Sequence, residues 1–338
     1  MNKRSWFTAI ASFTGLALAA LACGGGTLAT SMPATAAPLM PATAASPMPA
    51  SATAAPVTVA PSPTRISPGE YNNSMTFGGE TRDYILHVPP DYDGSKAVPL
   101  VFIMHAYEGS ATEIEKVSGI NQNADKDNVI VVYPNGTGNP TAWNALFFPP
   151  RASQPDDVGF ITALLDKLEK DLRIDSQRIY VGGFSNGAMM SYYLGAELSN
   201  RLAAIAIVEG ALGIKQADGS ILMIPNPARP VSVIAIHGKK DPTVPYNGGR
   251  GISRLNFLSV AKAIGFWSKR DGCSGTPQTT TSQNGNVVKD DYAVCQQGSE
   301  VVLITIGNGT HDWPTAAMPN QISATDAIWE FFMRHPKP

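Results

Sequence analysis

Ser185 lies in Val181-Gly182-Gly183-Phe184-Ser185-Asn186-Gly187-Ala188-Met189-Met190, after a strand-like apolar run and before an apolar segment patterned as a helix. A G-x-S-x-G sequence between strand and helix reads as a nucleophile elbow. The flanking glycines leave room for a sharp turn, which lifts the hydroxyl over the helix N-terminus. Serine is a poor nucleophile until a neutral imidazole takes its proton, and a carboxylate must hold that imidazole in the right tautomer. The chemistry therefore demands a histidine and an acid elsewhere in the chain.

Where such an elbow sits in a doubly wound sheet, the acid and then the histidine follow the serine, each on a loop after a later strand. The strand-like run Val231 to Ile236 ends in His237-Gly238-Lys239-Lys240-Asp241-Pro242, which makes Asp241 the expected acid. The run Glu300 to Ile306 gives way to Gly307-Asn308-Gly309-Thr310-His311-Asp312-Trp313-Pro314, which makes His311 the expected base. Of the five histidines, His87 lies inside a strand-like run, His335 in the tail, and His105 and His237 ahead of the serine or the acid. Asp312 is a rival acid, but neighbouring side chains on a loop seldom face each other, so Asp241 is preferred. A tetrahedral oxyanion also needs backbone donors. The expected pair is the N–H of Asn186, after the serine, and the N–H of Tyr107, on the loop after the strand-like run Val98 to Met104.

Positioning these groups takes alternating strands and helices. Strands are expected at 83–88, 99–104, 129–133, 178–182, 203–208, 231–236 and 301–306. Helices are expected at 187–198, 259–270 and 323–334, with a further one capped by Asp156 and Asp157. In that helix Ile161, Leu164, Leu165, Leu168 and Leu172 form an apolar stripe suited to packing on a sheet. The pattern is that of an α/β protein with a mostly parallel central sheet flanked by helices.

From about Gly69 to Pro338 the chain resembles the secreted esterase family of polyhydroxybutyrate depolymerases and feruloyl and acetylxylan esterases, which have the α/β-hydrolase fold. The resemblance is carried by Arg82-Asp83-Tyr84-Ile85-Leu86-His87-Val88-Pro89, the His105 loop, Val132-Tyr133-Pro134-Asn135-Gly136 and Asp156-Asp157-Val158-Gly159-Phe160. It extends through the Ser185 elbow, the loop from His237 to Pro245, Cys273 with Cys295, and Gly309 to Pro314. It implies a carboxylic ester hydrolase with Ser185, Asp241 and His311 as its catalytic serine, acid and base. The family usually has glycine where this chain has Ala106, a substitution that would strain a loop needing positive φ there.

Lys3 and Arg4 precede an uncharged apolar run that ends Ala20-Leu21-Ala22-Cys23-Gly24. This reads as a secretory signal over residues 1–22 with a lipoprotein-type cleavage site, leaving Cys23 to carry a lipid. Residues 23–68 hold no Asp or Glu, Arg65 as their sole Lys or Arg, and three Met-Pro-Ala repeats, at Met32, Met40 and Met48. Such a Pro/Ala/Thr/Ser-rich stretch is expected to be a disordered tether. The expected location is extracellular and membrane-anchored, with the lipid on Cys23 as the membrane contact. With Cys23 so assigned, Cys273 and Cys295 are expected to pair, and closing a loop of that size stabilises by roughly 3 kcal/mol in the chain-entropy model.

The net charge of -2 and the lack of a Lys/Arg run, a phosphate loop or a Cys/His metal spacing argue against nucleic acid, nucleotide cofactors and metals. No cofactor is expected, since Ser, His, Asp and water complete the reaction. Tyr107, Trp143, Phe184, Tyr246 and Trp313 are candidate substrate-wall residues, as aromatics able to stack on an aryl or sugar face. The expected partner is an ester of plant polysaccharide or a hydroxyalkanoate polyester or oligomer. A peptidase on the same fold and a surface lipoprotein that binds without turnover are the alternative readings.

Overall fold

A computed structural model describes residues 66–149, 154–251, 254–282, 284–318 and 322–338. The signal peptide, Cys23 and the expected tether up to residue 65 lie outside the described residues. In chain order the elements are β1 (Gly69–Phe77), β2 (Glu80–Val88), β3 (Val98–Met104), α1 (Ala111–Ser118), α2 (Asn121–Asp127), β4 (Ile130–Pro134) and α3 (Asp157–Asp171). There follow β5 (Ile174–Phe184), α4 (Asn186–Glu197), β6 (Ala204–Val208), β7 (Gly213–Lys215), β8 (Ile221–Met223), β9 (Ser232–Gly238), β10 (Gly249–Arg250) and β11 (Asn256–Phe257). The last are α5 (Val260–Arg270), β12 (Gln278–Thr281), β13 (Val287–Tyr292), β14 (Val301–Ile306) and α6 (Ala324–Arg334).

Ten strands form one sheet in the order β1-β2-β4-β3-β5-β6-β9-β14-β13-β12. From β4 to β14 every neighbouring pair is parallel, while β1, β2, β12 and β13 join antiparallel at the edges. Where they pair at the centre of the sheet the parallel strands are buried on both faces and read as near-continuous apolar runs, such as Ile130–Pro134 and Ala204–Val208. Alternation along β3 sends Leu100, Phe102 and Met104 into the layer under α3, α4 and α5. Val101 and Ile103 face the layer under α1, α2 and α6. The Ile161, Leu164, Leu165, Leu168 and Leu172 stripe is buried against the first layer.

Of the two acids expected to cap α3, Asp156 accepts from the Gly159 N–H at 2.8 Å and is the cap. Asp157 is turned into the core, where it meets Arg82 at 2.6 Å. A second, four-stranded sheet, β10-β11-β7-β8, lies in the excursions between β6 and α5. Cys273 and Cys295 form a disulfide that brackets the β12–β13 hairpin.

Candidate active site

The three expected residues converge. β5, β9 and β14 run parallel, so their carboxyl ends lie at one edge of the sheet, where Ser185, Asp241 and His311 follow them. The Ser185 O–H donates to His311 Nε2 at 2.9 Å, and His311 Nδ1–H donates to Asp241 Oδ2 at 2.7 Å. That assignment follows from the partners, since an ionised carboxylate can only accept. The other Asp241 oxygen accepts from the Thr243 and Val244 N–H groups at 2.7 and 2.9 Å. Burial pushes the Asp241 carboxyl up, but the neighbouring His237, His311 and Glu209 side chains outweigh it and hold the carboxyl well below the usual range. The rival Asp312 is exposed and accepts from the Thr310 hydroxyl.

Ser185 sits at φ 54°, ψ -115°, a backbone conformation that a side chain tolerates only when the surroundings enforce it. The enforcement is visible. The Ser185 N–H donates to the Val208 carbonyl at 2.9 Å. A Cβ on Gly183 would stand 2.5 Å from the Gly187 carbonyl carbon, and one on Gly187 would stand 2.3 Å from the Met104 oxygen. The elbow and the end of β3 therefore touch backbone to backbone.

Asn186 opens α4, so its N–H is a first-turn donor with no partner inside the helix. The loop carrying Tyr107 packs on the same elbow through Met104 and His105. Ala106 is not among the residues with positive φ. The left-handed conformation falls instead on Glu108, at φ 65°, and the strain foreseen at Ala106 does not arise. His105 locks this loop: its Nδ1–H donates to the Ala106 carbonyl at 2.7 Å, and its Nε2 accepts from the Gly136 N–H at 2.9 Å. Burial lowers the His105 pKa to about 4, which keeps it neutral and able to serve as acceptor.

Two of the expected wall residues are corrected by their burial. Trp143 is 0% exposed, its indole N–H donating to the His105 carbonyl at 3.1 Å, so it braces the loop from behind and offers no face to a substrate. Trp313 is 3% exposed and donates to the Thr325 hydroxyl at 3.0 Å. Tyr246 is half-buried on the His237 side of the acid, its hydroxyl engaged with Thr305 at 2.8 Å. The aromatic surface that is open belongs to Tyr107, 36% exposed, which meets Phe148 edge-on at 5.3 Å. Phe148 had not been singled out. Its carbonyl accepts weakly from the Asn186 amide at 3.4 Å, which places it beside the elbow.

Among the described residues, Glu209, Asp241 and His311 carry donor atoms that cluster within 4.8 Å, close enough to hold a cation. Both nitrogens of His311 are already engaged, so a cation would have to displace those hydrogen bonds.

Residues 95–259 match the Phospholipase/Carboxylesterase family. The chain is 32% identical over 236 residues to feruloyl esterase B of Piromyces equi, covering 68% of this chain and 42% of that enzyme. It is 29% identical over 259 residues to feruloyl esterase C of Emericella nidulans, covering 75% and 84%. An acetyl xylan esterase from Aspergillus awamori shares the fold at TM-score 0.55 and 14% identity, over 78% of this chain and 99% of that one. A putative dipeptidyl aminopeptidase IV from Bacteroides ovatus does so at TM-score 0.51 and 12% identity, over 79% and 36%. The protein is an α/β-hydrolase and a serine-dependent carboxylic ester hydrolase. Within that class the chain belongs with the feruloyl esterases.

Proposed function

We propose that this chain is an exported esterase that cleaves feruloyl or acetyl groups from plant polysaccharide through Ser185, His311 and Asp241. The observation that carries the reading is the line of hydrogen bonds from Ser185 Oγ through His311 to Asp241, at 2.9 and 2.7 Å. In the reaction Ser185 Oγ attacks the ester carbonyl carbon as its proton passes to His311 Nε2. The Asn186 and Tyr107 N–H groups receive the oxyanion, and Asp241 balances the imidazolium. As the tetrahedral intermediate collapses, the alcohol leaves with the proton from His311. Water, deprotonated by the same nitrogen, then hydrolyses the acyl-enzyme and restores the serine.

The open Tyr107–Phe148 pair supports an aryl acyl group, because an edge-to-face pair beside the elbow offers a ring on which a feruloyl group can stack. The feruloyl esterases among its relatives point the same way. Export and anchoring rest on the segment ending at Cys23 and on the uncharged stretch after it.

Turnover of p-nitrophenyl acetate, methyl ferulate and a hydroxybutyrate oligomer by the wild type and by Ser185→Ala tests the reading. The variant should lose on the order of 10⁴-fold or more in kcat, with methyl ferulate the preferred ester in the wild type. Equal activity in both proteins would remove Ser185 as the nucleophile. Preference for the oligomer would move the substrate to polyesters.

A further inference from the structure

Glu209 is a fully buried carboxyl that the mechanism above does not use. It follows β6 with its backbone at φ 53°, a conformation that glycine would adopt more readily. The residue before it, Val208, gives its carbonyl to the Ser185 N–H, so Glu209 is attached to the strand end that fixes the elbow. Its side chain runs behind the acid, and donor atoms of Glu209, Asp241 and His311 lie within 4.8 Å of one another.

The two carboxyls are held differently. Asp241 accepts from three N–H groups, those of His311, Thr243 and Val244. Glu209 Oε1 accepts from one, the Gly238 N–H at 2.9 Å. Glu209 Oε2 is buried and accepts none. It lies 3.2 Å from His237 Nε2, but that N–H donates to the Val244 carbonyl at 2.8 Å. Two buried carboxylates this close cannot both ionise, and the one with more donors keeps the charge. An oxygen that accepts nothing is satisfied when it bears the proton and donates.

We infer that Glu209 is a positioning residue of the active site, a carboxylic acid that donates a hydrogen bond to Asp241 and acts on His311 through it. The inference rests on the Ser185–His311–Asp241 reading. The titratable groups around Glu209 are His237 on β9, Asp241 on the loop after it, and His311 and Asp312 on the loop after β14. Burial pushes the Glu209 carboxyl well above the usual carboxylate range. The Asp241 charge pushes the same way, against the Gly238 N–H. The consequence for catalysis is one of basicity. A donor on Asp241 spreads its charge and makes it a weaker base, so the Nδ1 proton stays on His311 while Nε2 takes the proton of Ser185.

The test compares wild type, Glu209→Gln and Glu209→Ala by kcat/KM against pH and by infrared difference spectra at pH 7. Glu209→Ala removes the donor, so Asp241 becomes a stronger base and stabilises protonated His311. The acid limb of the profile should move to higher pH by about half a unit or more, with kcat down about tenfold and KM little changed. Glutamine supplies an N–H to Asp241 and an oxygen to Gly238, so it should rescue kcat and restore the position of the acid limb. The wild-type spectrum minus that of Glu209→Gln should contain the C=O stretch of a protonated carboxyl.

A carboxylate at Glu209 predicts the opposite on two counts. No such band would appear, and Glu209→Gln, by removing a negative charge, would shift the acid limb to lower pH. Either result overturns the proposal, as does an unmoved acid limb in Glu209→Ala. The infrared arm requires no turnover, so it judges the Glu209–Asp241 pair even if Ser185→Ala shows that the triad reading is wrong.

Discussion

Trp143 and Asn186 hold each other by two hydrogen bonds in opposite directions. The Trp143 N–H donates to Asn186 Oδ1 at 2.8 Å, and Asn186 Nδ2 donates to the Trp143 carbonyl at 3.1 Å. Both residues are fully buried, and the Trp143 indole reaches on to the His105 carbonyl. The residue after the nucleophile and the loop bearing Tyr107 are therefore joined through one tryptophan. Asn186→Ala strands the buried Trp143 N–H, while the Trp143 carbonyl keeps the Ala145 N–H at 3.0 Å, and should cost about 1–3 kcal/mol in urea denaturation. Trp143→Phe keeps the ring bulk and removes one donor. It should cost about 1 kcal/mol and lower kcat with KM unchanged, as expected of a brace acting on the oxyanion donors.

Arg82 and Asp157 form a buried ion pair at 2.6 Å, with side chains 3% and 0% exposed. Asp157 also accepts from the Asn144 N–H at 2.7 Å, and the Arg82 guanidinium lies 3.9 Å from the centroid of the Phe160 ring. Asp157→Ala leaves an uncompensated charge in the core and should destabilise by about 3–5 kcal/mol. Asp156→Ala, next door, removes only a helix cap and should cost about 1 kcal/mol. Equal losses in chemical denaturation would mean that the pair contributes no more than the cap.

Asp271 ends α5 in a fully buried position, where Oδ1 accepts from the Val231 N–H at 3.2 Å. Burial pushes its carboxyl up to about 7, against the pull of the Val231 N–H and Arg229. A carboxyl raised from its ordinary 3.8 favours the fold while protonated, and that contribution is lost as pH rises through about 7. The unfolding free energy of the wild type should therefore fall relative to that of Asp271→Asn between about pH 4 and 7. The difference should be about 4 kcal/mol at most. Parallel stability curves for the two proteins would show that Asp271 does not hold its proton in the fold.

The chemistry was legible because it depends on chain order and strand ends, which are local properties of sequence. Ser185, Asp241 and His311 each follow an apolar run, and the runs alone indicate which end of the sheet they share. Edge and connector elements carry no such signal. β12 is Gln-Thr-Thr-Thr and fully exposed, and α2 buries a single residue, Ala124. Trp143 and Trp313 were expected at the substrate because aromatic size near a motif says nothing about which side faces solvent. Glu209 had one signal in the sequence, a carboxylate closing a fully apolar strand and followed by glycine, and only the fold shows that Asp241 lies in front of it.

The contact of Gly183, Gly187 and Met104 without intervening side chains makes the Ser185 elbow and the loop after β3 one rigid body. No rotamer can slacken between them, and no small substitution can tune their spacing. Over evolutionary time such a seam separates two kinds of change. Outer residues such as Phe148 can drift and redirect the enzyme to another ester, while the attacking unit is inherited whole or lost.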